Sequence, residues 1–588
     1  MSNGVQRRKV TLTNQSRLRD STERQATSVI SVVQGVWGSS PREWRFNILK
    51  LHPLLQRRAI FGIISGMKIA TSTFDFKSIR EDGFVYVDKT DILYDLIQRG
   101  ADAQYFISRP RRFGKSLMLS TLKYIFEGRR DLFKGLKIDK KKYDWKEYPV
   151  IEFSMYDAKA NTPEKIDAAL SRMARSYIIK YKLQTKFAKY DTSGEWFGAM
   201  MTALADKYGQ FVVLIDEYDV PLQGFLSKGR REINTVRDVM HDFYVQLKNH
   251  VKDIRFMMIT GVTKLTKLSL FSGLNNPTDL TMDEPMCASL LGYTPEEIKN
   301  FFGPRIRELA KKAKVSEKEY LQKILDWYDS YRFCPDSKVK VCNPISIGKV
   351  LQNGLFLNFW AKTASASMLV ERLEKTELDN YEFTDVKTTR DDLDVCDAVK
   401  LPLIPLMYQS GYLTIKDVEE DGGLVLGVPN KEVRGVLNSL YWRSLLQIEE
   451  KDFKSLMAIA AEQLSKGDID GLFNSTLFRL YAKLPSTWTP KKEADAKRYF
   501  LLFMEMIGGK CDPEKATSRG QADMIVETKK QVLVVEFKYN RSAKAAIRQI
   551  REKGYADAYK GDKRPVTLVG LNFRSTKRNI DEPIIEAL

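Results

Sequence analysis

The stretch that decides the fold runs from Gln104 to Ser116 and reads QYFISRPRRFGKS. Residues 104–107 have the apolar character of a buried strand, and apolar residues at helical spacing follow from Leu117 to Phe126. A strand, a loop ending in Gly-Lys-Ser and a helix form the setting in which backbone N–H groups surround phosphates. We predict a phosphate-binding loop made by Arg111, Arg112, Phe113, Gly114, Lys115 and Ser116.

Within this loop two side chains have defined chemical tasks. Lys115 is predicted to reach the β- and γ-phosphates of ATP, and the Ser116 hydroxyl to bind Mg²⁺. The loop has Arg109 where the usual motif begins with Gly, a residue that eases a tight turn. A Gly-Lys-Ser triplet alone is a weak signal, and an ordinary helix start is its alternative.

Acidic residues follow a second apolar run, at residues 211–215. Acids at the carboxyl end of a buried strand lie where α/β sheets bind ligands. We therefore predict that Asp216 is the Mg²⁺-linked acid and that Glu217 activates the attacking water. A third run, at 254–259, ends at Thr260, which is predicted to sense the γ-phosphate. A solvated acidic turn is the alternative for the two acids.

The order of predicted elements indicates an α/β protein with several domains. Strands at 84–88, 103–107, 149–153, 211–215 and 254–259 alternate with helices, which predicts a parallel sheet. Residues 286–485 are predicted to be mainly helical, with a hairpin around 412–426. Residues 486–588 are predicted to hold a helix, two strands joined near Lys529, a second helix and a strand. The predicted boundaries are 1–66, 67–285, 286–485 and 486–588.

Charge points to a polyanionic partner. The 588 residues carry a net charge of +20, and proteins this basic tend to meet nucleic acid. A generally solvated basic surface is the alternative. Residues 1–66 contain eleven Lys and Arg against three acids. They are predicted to be a disordered basic extension, with a gene-model extension before Met67 or a transit peptide as alternatives.

Composition also excludes several classes of protein. No run approaches the roughly 18 apolar residues of a membrane-spanning helix. The five cysteines include no C-x-x-C pair, which disfavours zinc sites and disulfide scaffolds. These features predict the cytoplasm, or the nucleus in a eukaryote, and leave oligomerisation open. With three histidines in the chain, histidine-dependent hydrolases are disfavoured.

Nine segments together resemble the AAA-ATPase-like family that carries a C-terminal PD-(D/E)XK domain. The resemblance covers about residues 70–575, and in that family Arg in place of the first loop Gly is normal. It implies an AAA-like P-loop domain, a helical and winged-helix-like connector, and a nuclease-like α/β domain. The segments are 86–90 (YVDKT), 109–116 (RPRRFGKS), 214–219 (LIDEYD), 260–262 (TGV), 271–276 (FSGLNN), 327–333 (WYDSYRF), 343–344 (NP), 411–414 (GYLT) and 429–433 (PNKEV).

The nuclease superfamily holds one or two divalent ions with acids, beside a lysine. Here Asp523 opens one predicted strand, and Glu536 and Lys538 end the next. Residues two apart in a strand point to the same side. We predict Asp523 and Glu536 as ligands of Mg²⁺ or Mn²⁺, and Lys538 beside the attacking water. A solvated strand end is the alternative.

Further residues are assigned through the superfamily alone. An extra acid on the preceding helix would be either Glu493 or Asp495. Gln549 and Tyr555 match the polar pair of the following helix.

Three functional hypotheses follow from these patterns. The first is an ATP-regulated, metal-dependent nuclease acting on DNA or RNA, with DNA favoured. The second is a switch protein that grips nucleic acid without cutting it. The third is an ATPase that works on protein partners. Retention of Asp523, Glu536 and Lys538 together argues against the second hypothesis.

Overall fold

The N-terminal half is organised by a five-stranded parallel sheet whose order is β2-β3-β4-β1-β5. Strands β1, β3 and β4 are almost completely buried, which explains why they are mostly apolar without alternation. The carboxyl ends of β1, β4 and β3 therefore lie side by side. The strands are β1 Gln104–Ser108, β2 Val150–Ser154, β3 Phe211–Asp216, β4 Ile254–Gly261 and β5 Thr278–Asp279.

The structure is a computed structural model that describes residues 67–588 except 101–102, 187–188, 227, 265–276, 361–382, 395–401, 447 and 518–519. The predicted 1–66 extension and the 271–276 segment lie outside the described residues. The helices of the first half are α1 Phe76–Glu81, α2 Thr90–Ile97, α3 Lys115–Phe126, α4 Pro163–Lys180, α5 Ser193–Tyr208, α6 Val220–Gln223, α7 Arg230–Tyr244 and α8 Gln246–Asn249.

The strand predicted at 84–88 is wrong, because this segment is irregular between α1 and α2. Tyr86 and Val87 are buried against the core without forming a strand ladder. Asp88 accepts hydrogen bonds from the Thr90 backbone N–H at 2.9 Å and from the Lys137 N–H at 2.7 Å. Apolar character at these positions thus reports burial, and the chain is fixed by side-chain bonds instead.

The middle region is helical and contains a small antiparallel sheet of order β6-β8-β7. The hairpin predicted around 412–426 is confirmed as β7 and β8. This combination forms the helical, winged-helix-like connector. Its elements are α9 Pro295–Ala313, α10 Glu317–Tyr328, α11 Pro344–Asn353, β6 Val386–Thr388, α12 Arg390–Leu393, α13 Leu403–Ser410, β7 Thr414–Val418, β8 Leu424–Gly427, α14 Lys431–Leu446, α15 Glu450–Lys466 and α16 Phe478–Ala482.

The C-terminal region is an α/β unit built on a mixed sheet of order β13-β12-β11-β10-β9. β10 pairs antiparallel with β9 and β11, β11 pairs parallel with β12, and β14 pairs with β12. The predicted strand pair around Lys529 is confirmed, whereas β9 was not predicted. The elements are α17 Glu493–Met506, β9 Lys510–Thr517, β10 Gly520–Glu527, β11 Val532–Tyr539, α18 Ala543–Lys553, β12 Val566–Arg574, β13 Asn579–Ile580 and β14 Ile584–Ala587.

One cluster of buried apolar side chains extends through all three regions, from Phe76 to Ile580. At the phosphate-loop end, the Phe113 ring lies 4.9 Å from that of Tyr331. At the other end, the Trp442 ring of the connector lies 5.8 Å from the Tyr499 ring of α17. Residues 69–588 accordingly form one compact unit. Among the helices that can be described, none has the length and apolar character needed to cross a membrane.

Candidate functional site

The loop between β1 and α3 wraps around Lys115. Its left-handed backbone positions are Arg112, with φ of 71°, and Gly114, with φ of 99°. The Lys115 ammonium donates to the carbonyls of Arg109 at 2.8 Å and Pro110 at 3.1 Å. Burial lowers the pKa of Lys115, although nearby acids, first Asp216, oppose this effect. The loop thus holds a buried cation on neutral carbonyl groups.

Arg109 does not need the conformational freedom of glycine, because the left-handed φ angles occur later in the loop. Its guanidinium is buried and lies 4.4 Å from the centre of the Phe333 ring. It donates to the carbonyls of Ser108 at 2.9 Å and Thr281 at 3.0 Å. The arginine at the first motif position therefore fastens the loop to β1 and to the connector.

Asp216 of β3 contacts two other predicted site residues, Ser116 of α3 and Thr260 of β4. One carboxylate oxygen accepts from the Ser116 hydroxyl at 2.5 Å, and the other accepts from the Thr260 hydroxyl at 2.5 Å. Strand order explains this arrangement, since β4 lies between β1 and β3. Thr260 is thus bonded to the acid that is predicted to serve Mg²⁺.

The two acids that follow Asp216 differ completely in their surroundings. Glu217 is half-buried and has a left-handed φ of 55°, a strained conformation for a non-glycine residue. Burial raises the pKa of its carboxyl, and the charge of Asp216 adds to the rise. Asp219 is fully buried and accepts from the backbone N–H of Thr263 at 2.9 Å and its hydroxyl at 2.6 Å. Asp219 therefore secures the turn after β4, while the Glu217 carboxyl lies close enough to Asp216 and Lys115 for their charges to act on it.

Segments of the connector that resemble the family lie against the phosphate loop. Asn343 donates to the Arg111 carbonyl at 3.3 Å while its side-chain oxygen caps α11. Gly411 approaches Pro110 so closely that a Cβ atom there would lie 2.8 Å from the proline ring. The backbone N–H of Gly292 donates to the Phe113 carbonyl at 3.0 Å. Because of these direct contacts, a change in the conformation of the loop would alter its packing against the connector.

A pocket opens beside the same loop and is mostly apolar. It reaches the loop at Arg112, Phe113 and Gly114. Its mostly apolar lining suits an apolar group bound beside the loop. Its other walls include Phe74, Tyr86, Val87, Leu117, Leu291 and Tyr293.

In the C-terminal region the structure brings Asp523, Glu536 and Lys538 together. The β10–β11 register pairs Met524 with Val535, so Asp523 and Glu536 stand opposite each other. The Asp523 backbone N–H donates to one Glu536 oxygen at 3.4 Å, and the Lys538 ammonium donates to the other at 2.9 Å. Glu536 and Lys538 point to the same side of β11, as their spacing predicts.

These groups are buried, unlike a solvated strand end. Glu536 is 1% exposed and Lys538 is 7% exposed. Burial, followed by the negative charge of Asp523, raises the pKa of Glu536 to about 7, although Lys538 opposes the rise. Burying charged side chains is costly unless they are paired. The cluster therefore either performs chemistry or stabilises the fold through its paired charges.

The preceding helix contributes residues that the sequence left open or missed. Glu493 lies 3.3 Å from the Lys497 ammonium, which also lies 2.5 Å from Asp523. Asp495 instead accepts from the backbone N–H groups of Lys491 and Lys492, as a helix cap does. Geometry thus places Glu493 at the site. The missed residue is Lys497, whose only sequence signal is its position one helical turn after Glu493.

The predicted polar pair also forms. The Gln549 side-chain amide donates to the Tyr555 hydroxyl at 3.3 Å, and a Cβ atom on Gly520 would lie 3.3 Å from that hydroxyl. The pair is therefore close to the start of β10, the strand that carries Asp523.

Both sites offer oxygen ligands suited to a hard divalent ion. Ser116 and Asp216 place a hydroxyl and a carboxylate in direct contact, and Asp523 and Glu536 are two acids at opposite positions of β10 and β11. Oxygen donors of this kind suit Mg²⁺ and Mn²⁺. Over the described part of the chain, no three His, Cys, Asp or Glu side chains gather into one metal group. At the C-terminal site, the Lys497 ammonium lies between Glu493 and Asp523.

Comparisons with known proteins find a match for each of the two regions that hold the candidate sites. Residues 70–271 match the family model of predicted AAA-ATPases, and residues 491–583 match that of the PD-(D/E)XK nuclease superfamily. A protein of Azotobacter chroococcum mcd 1, described as an uncharacterized protein in the vnfD 5′ region, is 30% identical over 539 residues. That match covers 89% of this chain and 100% of the relative.

Two solved structures show distant likeness. The Aeropyrum pernix ORC1 protein in complex with DNA is 11% identical, with a TM-score of 0.22, covering 60% of this chain and 92% of that one. A STAND protein with a tetratricopeptide repeat sensor from Pyrococcus horikoshii is 14% identical, with a TM-score of 0.21, covering 72% and 54%.

The relative matches along its whole length, and the two family models fall on the parallel sheet with the phosphate loop and on the mixed sheet with the acid–lysine cluster. The chain belongs to the family of proteins that join a predicted AAA-ATPase domain to a C-terminal domain of the PD-(D/E)XK nuclease superfamily.

Proposed function

We propose that the protein is an ATPase coupled to a metal-dependent nuclease that cleaves the phosphodiester bonds of DNA, with RNA as the alternative substrate. The observation that carries this proposal is the placement of Asp523 on β10 opposite the buried, hydrogen-bonded pair of Glu536 and Lys538 on β11. A domain that only grips nucleic acid has no need to bury two acids and a lysine together, because burial without chemistry costs stability.

At the first site, the chain's own groups support ATP binding and hydrolysis. Lys115 can leave the carbonyls of Arg109 and Pro110 for phosphate oxygens, which are stronger acceptors. The apolar pocket beside Gly114 is placed to take the base. Ser116 and Asp216 would hold Mg²⁺, Thr260 would fix the Asp216 carboxylate, and Glu217 would accept the proton of the attacking water.

At the second site, Asp523 and Glu536 would hold a divalent ion, with Glu493 as a further acid. When bound there, such an ion polarises the phosphate and activates water. Lys538 is fixed by Glu536 and by the Phe537 carbonyl at 2.7 Å. Its ammonium is thus positioned to orient the attacking water and to offset negative charge.

The connector is proposed to relay the nucleotide state from one site to the other. The residue Lys264, just after β4, donates its backbone N–H to the Gln409 side chain of α13 at 2.9 Å. Its buried ammonium pairs with Asp279 at 2.8 Å and also with Asp394. From α14 the connector reaches the nuclease-like domain through Trp442 and Tyr499.

The test is incubation of the full-length protein with DNA and RNA, with Mg²⁺ or Mn²⁺, and with and without ATP. Metal-dependent cleavage that responds to ATP is the expected result. Binding of nucleic acid without cleavage under every condition would favour a switch protein instead. ATP hydrolysis without either binding or cleavage would favour an ATPase that acts on protein partners.

A further inference from the structure

Lys497 has an unusual position in the C-terminal site. Its ammonium lies 2.5 Å from one oxygen of Asp523 and 3.3 Å from an oxygen of Glu493. The two acids come from different elements, β10 and α17, so a single cation joins strand and helix. The Lys497 side chain is 23% exposed and that of Asp523 is 12% exposed, which separates this bridge from ordinary surface ion pairs.

Every oxygen of the two predicted metal ligands already has a donor. Asp523 accepts from Lys497 and, at 2.7 Å, from the Phe537 backbone N–H. Glu536 accepts from Lys538 and from the Asp523 backbone N–H. The Phe537 and Asp523 N–H groups belong to strands and cannot withdraw without breaking the sheet. A divalent ion bound to these oxygens would lie within a few ångströms of two ammonium groups, and the repulsion between the positive charges favours the departure of one lysine.

Lys497 is the lysine that can move. Lys538 is 8% exposed on its side chain and is also bonded to the Phe537 carbonyl. Lys497 is more exposed and lies on a helix surface, where a long side chain can swing towards water while its stem stays packed. When Lys497 moves towards water, the buried Lys538 keeps both of its partners, Glu536 and the Phe537 carbonyl.

We propose that Lys497 is an internal counter-ion that occupies the cation position between Glu493 and Asp523 and is displaced when a divalent ion binds. The inference rests on the proposed metal-dependent function and extends it. Lys497 is then a positioning residue that sets how much free metal is needed to load the site. Its release brings Glu493, the third acid, into contact with the same ion.

The experiment measures Mn²⁺ binding to the full-length protein by calorimetry, without nucleotide or nucleic acid. All proteins carry Asp216→Asn, so that the first site does not contribute. Lys497→Met keeps the aliphatic stem and removes the charge, and Lys544→Met, at an exposed lysine of α18, is the matched control. Lys497→Gln serves as a second variant if the methionine protein does not fold.

Lys497→Met should bind Mn²⁺ at least about tenfold more tightly than its parent, because a competing charge within a few ångströms is gone. Lys544→Met should bind as the parent does. Adding Glu536→Ala to Lys497→Met should abolish the gain. In EDTA the Lys497 variant should unfold at a lower temperature than its parent, and Mn²⁺ should raise its unfolding temperature more.

Three outcomes would overturn the proposal. Equal or weaker Mn²⁺ binding by the Lys497 variants, with lowered stability, would show a purely structural tether and leave the proposed nuclease intact. A gain in binding that survives Glu536→Ala would place the ion elsewhere. Absence of Mn²⁺ binding in every protein, parent included, would remove both this inference and the metal-dependent function on which it rests.

Discussion

The two candidate sites satisfy their buried charges in opposite ways. In the phosphate loop, Lys115 donates hydrogen bonds to backbone carbonyls, and Asp216 accepts hydrogen bonds from the hydroxyls of Ser116 and Thr260. In the C-terminal site, Asp523 and Glu536 rest on the ammonium groups of Lys497 and Lys538. The first site uses neutral partners for each charged group, whereas the second pairs charge with charge.

This difference has a consequence for ligand binding. A phosphate entering the first site replaces two neutral carbonyl groups as the partner of Lys115, and its charge-assisted bonds are stronger than the bonds it replaces. A cation entering the second site has to break an ion pair in a partly desolvated setting, which costs more. The phosphate loop is therefore expected to bind its ligand readily, while loading of the C-terminal site is the step open to control.

The largest expected effect is loss of cleavage when an acid of the second site is removed. Asp523→Ala or Glu536→Ala should lower the cleavage rate by roughly 10³-fold or more, since several kcal/mol of charge stabilisation are lost. Lys538→Ala should lower cleavage as well but should not weaken Mn²⁺ binding, because lysine is not a ligand and its loss removes a positive charge beside Glu536. Cleavage of a labelled DNA, together with Mn²⁺ calorimetry, separates these cases.

ATP binding is the control for these variants, since Lys115 and Asp216 belong to the other sheet. It should match that of the wild type in all three. Cleavage that persists in both acid variants would show that the acid–lysine cluster is structural, and the contrast between the two sites would then lose its functional meaning.

Glu217→Gln is expected to have the next largest effect. The amide keeps the size of the carboxyl but cannot accept a proton, so ATP turnover should fall by about 100-fold while ATP remains bound. Asp219→Asn is the comparison, and it should lower protein stability because Asp219 holds the turn at Thr263. Steady-state hydrolysis and equilibrium ATP binding are the measurements. Turnover at the wild-type rate in Glu217→Gln would remove Glu217 from the mechanism.

The contrast between Glu217 and Asp219 also shows where sequence reasoning stops. The strand before Asp216, the loop before α3 and the Glu536–Lys538 pair follow from apolar runs and from spacing. Periodicity reports burial but not partners, which is why 84–88 was predicted as a strand and proved to be irregular. Asp219 is an acid like the nearby Glu217, and Lys497 is a lysine like the nearby Lys491 and Lys492. Their different roles depend on which element folds against them.

Lys115→Ala should weaken ATP binding by roughly 30-fold, because a buried charge that meets phosphate is worth about 2 kcal/mol or more. The same substitution should leave Mn²⁺ binding at the C-terminal site unchanged. Fluorescent-nucleotide titration and calorimetry test both halves of the statement. Arg130→Ala, at an exposed arginine outside the loop, controls for the loss of one positive charge. Equal ATP affinity in wild type and Lys115→Ala would contradict the phosphate-loop assignment.

The smallest expected effect concerns stability, at a carboxyl that is held by neutral donors alone and lies outside both sites. Glu432 of α14 is fully buried and accepts from the Trp360 backbone N–H and the Ser346 hydroxyl, both at 2.8 Å. Burial raises its pKa to about 7, although these donors oppose the rise. The folded state thus holds a proton that the unfolded state releases above its ordinary pKa of 4.5. The stability that this proton gives is present at low pH and is lost as pH rises towards 7.

Glu432→Gln keeps an oxygen for Trp360 and can donate to Ser346. Its free energy of unfolding should therefore rise, relative to that of the wild type, by on the order of 2 kcal/mol between pH 5 and pH 8. Urea unfolding across this range measures the difference. A difference that does not change with pH would show that Glu432 is ionised in the folded protein, and that a buried carboxylate here needs no lysine.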